Sequence, residues 1–190
     1  MPLIDVDDSV LVVIDVQRGF VEKVDAETAD AVVDRIRWLC ELAAALHVPA
    51  VVTEESPDHN GPTAPAVVAA LPTGLHRYPK TTFGLGESPE ILAAVEATRR
   101  RTAVLCGLET DVCVAQSAIG LHDRGWRVAV AADATASPGA AHEQGLTRLR
   151  DAGIELVGVK AVGYDWLRSV ERAELVLEHV VTEGPRGIVL

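Results

Sequence analysis

The sequence predicts an α/β domain, a three-layer α/β/α sandwich around a central six-stranded, mainly parallel sheet. Three observations lead there. Strand-sized apolar runs alternate with amphipathic stretches along the chain, the pattern of repeated βαβ units. A run such as Val10-Leu11-Val12-Val13-Ile14 is apolar at successive positions, which suits a strand covered by helices on both faces. The 190 residues, 48% of them hydrophobic, suit one domain with a substantial core and argue against disorder. The chain, 1–190, is read as a single domain without internal repeat or linker.

Strands are expected at 9–15, 50–53, 75–78, 102–107, 128–132 and 154–159, and helices at 27–46, 89–99, 111–124, 139–152 and 164–179. In the first helix Val32, Val33, Ile36, Leu39, Cys40 and Ala43 recur at helical spacing, which makes Cys40 a core residue. The tract 54–74 holds Pro57, Gly61, Pro62, Pro65, Pro72 and Gly74 and reads as a lid or binding loop, with room for a short helix at 65–71. The chain ends in the apolar tail Gly187-Ile188-Val189-Leu190, expected either to cover a neighbouring subunit or to fray.

Seventeen Lys and Arg against 28 Asp and Glu give a formal charge of −11, which argues against a nucleic-acid or anionic-membrane partner. The first eight residues carry Asp5, Asp7 and Asp8 but no basic residue, so no secretory signal is expected. No apolar run is long enough to predict a membrane helix. Three cysteines without metal-ligand spacing suit a reducing cytoplasm.

The chemistry is written at three strand ends. The first is Leu105-Cys106-Gly107-Leu108-Glu109-Thr110-Asp111-Val112-Cys113, where an apolar run turns through polar residues and enters a helical pattern. Cys113 is therefore placed in the first turn of a helix, where the dipole and free N–H groups are expected to stabilise a thiolate. The second is Asp15, closing the run 10–14; the third is Lys80, in Tyr78-Pro79-Lys80-Thr81-Thr82-Phe83-Gly84. Alone, Asp15 reads as a turn residue, Lys80 as a solvated lysine, and Cys113 equally as a buried helix thiol or a nucleophile. Open parallel sheets collect their chemistry outside the carboxyl ends of strands. Together the three make a base, a cationic orienter and a nucleophile.

With Ile14-Asp15-Val16-Gln17-Arg18-Gly19-Phe20, Lys80-Thr81-Thr82-Phe83, Gly107 through Val114, and Asp133-Ala134-Thr135-Ala136-Ser137 in this order, the chain resembles the isochorismatase-like cysteine hydrolases over residues 9–170. The resemblance implies a Rossmann-like sheet in the order 3-2-1-4-5-6. It implies that Asp15 takes the thiol proton and returns it to the leaving group, with Lys80 between them. It further implies a cis peptide between Leu108 and Glu109, and an oxyanion hole built from the N–H groups of Glu109 and Cys113.

Nicotinamidases of this superfamily carry an Asp-x-His metal motif. Here Glu54-Glu55-Ser56-Pro57-Asp58-His59-Asn60 stands instead, with Asp58 and His59 adjacent. A site from Glu54, Asp58, His59 and His76 is conceivable, but loop polarity accounts for these residues better, so neither metal nor other cofactor is expected. Val52-Thr53-Glu54-Glu55 followed by Gly61-Pro62-Thr63 resembles a metal-free subgroup of unassigned substrate. Phe20 and Phe83 are expected to wall the substrate pocket, with Tyr78 or Trp166 as further contributors.

The leading expectation is hydrolysis of a small amide, ureido or related C–N compound through a cysteine thioester. Isochorismatase-type vinyl-ether hydrolysis is the alternative within the fold. A redox pair of Cys106 and Cys113 lacks Cys-x-x-Cys spacing, and a nucleotide-binding protein would need Gly-x-Gly-x-x-Gly after the first strand, which is absent. The expected partner is a small-molecule substrate. The resemblance and the one-sided helices point to a homo-oligomer, a dimer or higher.

Overall fold

The computed structural model describes residues 2–179, 181 and 183–190. Strands β1 (Ser9–Ile14), β2 (Ala50–Glu55), β3 (Arg77–Lys80), β4 (Thr102–Leu108), β5 (Arg127–Ala136) and β6 (Glu155–Val157) form one sheet in the order β3-β2-β1-β4-β5-β6. Every neighbouring pair is parallel, so the expected order holds and the sheet is wholly rather than mainly parallel. The helices are α1 (Arg18–Val21), α2 (Ala26–Ala45), α3 (Pro57–Asn60), α4 (Pro65–Ala70), α5 (Pro89–Ala97), α6 (Ala115–His122), α7 (Ala141–Asp151), α8 (Val159–Leu167) and α9 (Val170–His179).

The unbroken apolar run of β1 is explained by cover on both faces. Leu11 and Val13 join a core with α2, α4, α8 and α9, which contains Trp38 and Trp166. Val10, Val12 and Ile14 join a second core on the opposite face with α5, α6 and α7. Full burial of each such aliphatic side chain contributes about 1.5–3 kcal/mol, before the entropy of ordering the chain is set against it. Asp25 caps α2 by accepting the Thr28 N–H at 3.0 Å. Cys40 is core, as its spacing predicts.

Several elements depart from expectation, β5 among them, which runs on to Ala136. β1 stops at Ile14, because Asp15 enters the left-handed region at φ 49°. β3 begins and ends two residues late, at Lys80; it tolerates Pro79 because it is the sheet's edge strand. The last predicted helix breaks at Arg168, φ 67°, giving α8 and α9. The 54–74 tract is largely regular, since Glu54 and Glu55 extend β2 and α3 and α4 follow. The C-terminal tail docks on its own chain: the Arg186 N–H donates to Asp34 at 2.6 Å, and Ile188 and Leu190 pack against the α2-side core. Among the described residues no helix is long and apolar enough to cross a membrane.

Candidate active site

The order β3-β2-β1-β4 lines up the carboxyl ends that matter. Lys80 is the last residue of β3, Thr53 lies near the end of β2, Asp15 follows β1, and the turn after β4 carries Cys113. Gly107, at φ 128°, pairs with Ile14 across β1 and β4, and a Cβ there would collide with the Ile14 carbonyl. Only glycine allows that approach, which brings the two strand ends together. Beyond it the Leu108–Glu109 peptide is cis. The chain then winds through one wide π-helical turn, Thr110–Val114, with the Val114 N–H donating to the Glu109 carbonyl at 3.0 Å, before α6 begins.

Lys80 Nζ lies 2.6 Å from Asp15 Oδ2, and neither side chain reaches solvent. The same ammonium donates to the carbonyls of Thr82 at 2.9 Å and Phe83 at 3.0 Å, which fix it beside the carboxyl. Thr53 holds Asp15 twice: its hydroxyl donates to Oδ1 at 2.7 Å, and its carbonyl accepts the Asp15 N–H at 3.1 Å. Burial pushes the Asp15 carboxyl up, while interaction with the Lys80, Thr53 and Cys113 side chains pulls the other way. Burial and then the Asp15 charge push the Cys113 thiol up to about 12. This runs against the expectation of a stabilised thiolate: burial and the neighbouring carboxyl favour the neutral thiol.

Asp15, Lys80 and Cys113 are thus brought together. The aromatic residues lie as follows. Phe20 is buried in the α2-side core, while Phe83 is 54% exposed and its carbonyl accepts from Lys80. Trp166 donates to Ser9 at the opposite end of β1 and belongs to the core. Tyr78 stacks edge-on with His76, ring centroids 4.4 Å apart. Glu109 turns its carboxylate to Lys23 at 3.2 Å, and Lys23 covers the Phe20 ring at 4.5 Å.

Glu54 accepts the N–H and hydroxyl of Thr63 at 2.8 and 2.7 Å and meets Arg77 at 3.2 Å. Asp58 and His59 instead line an open cleft of about 610 Å³ with Ser56, Pro79, Lys80 and Ser88. Among the described residues no group of three or more His, Cys, Asp or Glu side chains is placed to hold a metal ion. Cys106 and Cys113 fall in the two cores on opposite faces of the sheet, which removes the redox pair.

Sequence reasoning missed Thr53 and Gln17. The buried Gln17 amide donates to the carbonyls of Glu55 at 3.0 Å and Gly61 at 2.6 Å and accepts the Glu55 N–H at 2.7 Å, tying the loop after β2 to β1. A polar residue next to or within an apolar strand run was the available signal for both.

A parallel sheet in this order, with a thiol and an ion pair at its carboxyl edge, defines the class as an open α/β protein. The family model for the isochorismatase domain matches residues 9–161, and the chain belongs to that family. It is similar to isochorismatase domain-containing protein 2 of Bos taurus, 38% identical over 117 residues, or 60% of this chain and 55% of the bovine one. It therefore spans little more than half the length of that relative. The probable hydrolase YcaC of Escherichia coli (strain K12) is 26% identical over 186 residues, 93% of this chain and 88% of its own. The crystal structure of that YcaC, described as an octameric hydrolase of unknown specificity, overlays with a TM-score of 0.84 at 20% identity, covering 96% of this chain and 92% of its own. YcaC from Pseudomonas aeruginosa, solved with hexane-2,5-diol and covalent acrylamide, has a TM-score of 0.84 at 22% identity, covering 95% and 93%.

Proposed function

We propose that the chain is a cysteine hydrolase that cleaves a small amide, ureido or related C–N compound through a thioester on Cys113. The observation that supports this reading is the buried 2.6 Å contact of Lys80 with Asp15, beside a thiol that interacts with the same carboxyl. Buried ion pairs add little to stability compared with apolar packing, so one at the edge where α/β chemistry collects argues for catalysis.

Asp15 takes the Sγ proton as sulfur attacks the carbonyl carbon, whose π electrons move to oxygen. The Glu109 and Cys113 N–H groups meet that oxyanion. Asp15 returns the proton to the leaving nitrogen as the C–N bond breaks, which leaves the thioester. Water, giving a proton to Asp15, then attacks the acyl carbon; the C–S bond breaks, and the sulfur recovers the proton. Lys80, anchored by two carbonyls, holds the carboxyl and offsets negative charge. No step draws on a cofactor.

The relatives support the same class. One is a probable hydrolase and octameric, and another holds acrylamide covalently. A homo-oligomer is proposed here on that ground. A screen of small amides, ureido acids and isochorismate, followed by ammonia release and product mass, tests the reading. Ammonia release from a C–N compound, lost in Cys113→Ala and in Asp15→Asn with unchanged circular dichroism, is expected. Turnover of isochorismate alone, undiminished in Cys113→Ala, would overturn it.

A further inference from the structure

Thr53 is fully buried next to Val51 and Val52 on β2, where the pattern of the strand calls for an aliphatic residue. A buried hydroxyl costs free energy unless it is used. This one is spent on Asp15 Oδ1, at 2.7 Å. Oδ2 receives no directed hydrogen bond, and Lys80 Nζ meets it as an ion contact. The two carboxyl oxygens are therefore unequal: Oδ1 takes the hydroxyl donor, and Oδ2 faces the ammonium without a directed hydrogen bond.

We propose that Thr53 is a positioning residue for the base: by committing Oδ1 it fixes the plane of the Asp15 carboxyl and leaves Oδ2 to exchange the proton with the Cys113 sulfur. The proposal rests on Asp15 serving as that base. A donor to the charged carboxylate also favours ionisation, so Thr53 keeps Asp15 able to accept a proton despite its burial.

Alkylation of the native protein by iodoacetamide, followed from pH 5 to 9 by peptide mass at Cys113, tests this without the natural substrate. Thr53→Val keeps the branched shape and removes the donor. The acid limb of its rate profile is expected to move up by about one pH unit, with about tenfold slower alkylation at a given pH on that limb. Thr53→Ser is expected to restore the wild-type profile, and Thr53→Ala substitutes where the valine variant fails to accumulate folded. An unmoved profile in folded Thr53→Val or Thr53→Ala overturns the assignment of Thr53. Asp15→Asn separates the two levels. If it loses the acid limb while the Thr53 variants keep theirs, only the Thr53 inference falls. If Asp15→Asn itself keeps the wild-type profile, the reading of Asp15 as base falls with it.

Discussion

Lys80 Nζ reaches Asp15 Oδ2 at 2.6 Å although β3, which ends in Lys80, and β1, which Asp15 follows, are separated in the sheet by β2. The lysine spans the intervening strand while β2 contributes Thr53 to the other carboxyl oxygen. Three strands of unrelated sequence position thus hold one carboxylate, and β4 delivers the thiol.

Removing one member of a fully buried pair leaves an uncompensated charge, at a cost of about 3–5 kcal/mol. Lys80→Met is expected to lower the unfolding free energy by that amount at pH 7. Asp15→Asn added to it is expected to recover most of the loss, because no charge then remains buried. Urea unfolding of the two single variants and the double variant measures the coupling. Strictly additive losses would mean that the contact carries none.

Gly107→Ala places a Cβ against the Ile14 carbonyl at φ 128°. Backbone must move, and β1 and β4 part where Asp15 and Cys113 are held. A loss of at least about 2 kcal/mol in chemical denaturation is expected, together with slower alkylation of Cys113. An alanine variant of wild-type stability would mean that the close approach is not required.

The thiol of Cys113 has an ordinary value of 9.0 and is pushed up to about 12, so the fold favours its neutral form. Its contribution to stability is fully present below pH 9 and is lost as pH rises toward 12, because only the unfolded chain releases the proton in that window. Cys113→Ala is expected to flatten the fall of stability between pH 9 and 11 by up to about 1.4 kcal/mol per pH unit. Cys40, pushed up to about 12 by burial, keeps its own slope in that variant. Parallel curves for wild type and variant in urea titrations would show that the fold does not hold this thiol neutral.

Much of this was legible in the sequence for one reason: parallel sheets put chemistry at strand ends, and two of those ends are written as apolar runs closing on Asp15 and Gly107. What was illegible depends on direction. That Thr53 gives its hydroxyl to Asp15 follows from the register of β1 and β2, with Ile14 beside Thr53, which no periodicity encodes. Phe20 and Phe83 looked alike as flanking aromatics, yet one ring turned into the core and the other to solvent. The dipole argument for Cys113 left out burial, which local sequence does not measure and which pushes the thiol up.

Acid-quenched mass spectrometry during turnover of the C–N substrate that emerges from the screen tests the nucleophile most directly. An acyl mass on the peptide containing Cys113, absent in Asp15→Asn, is the expected result. Full turnover in Cys113→Ala, with no acyl mass on any peptide of the wild type, would contradict it.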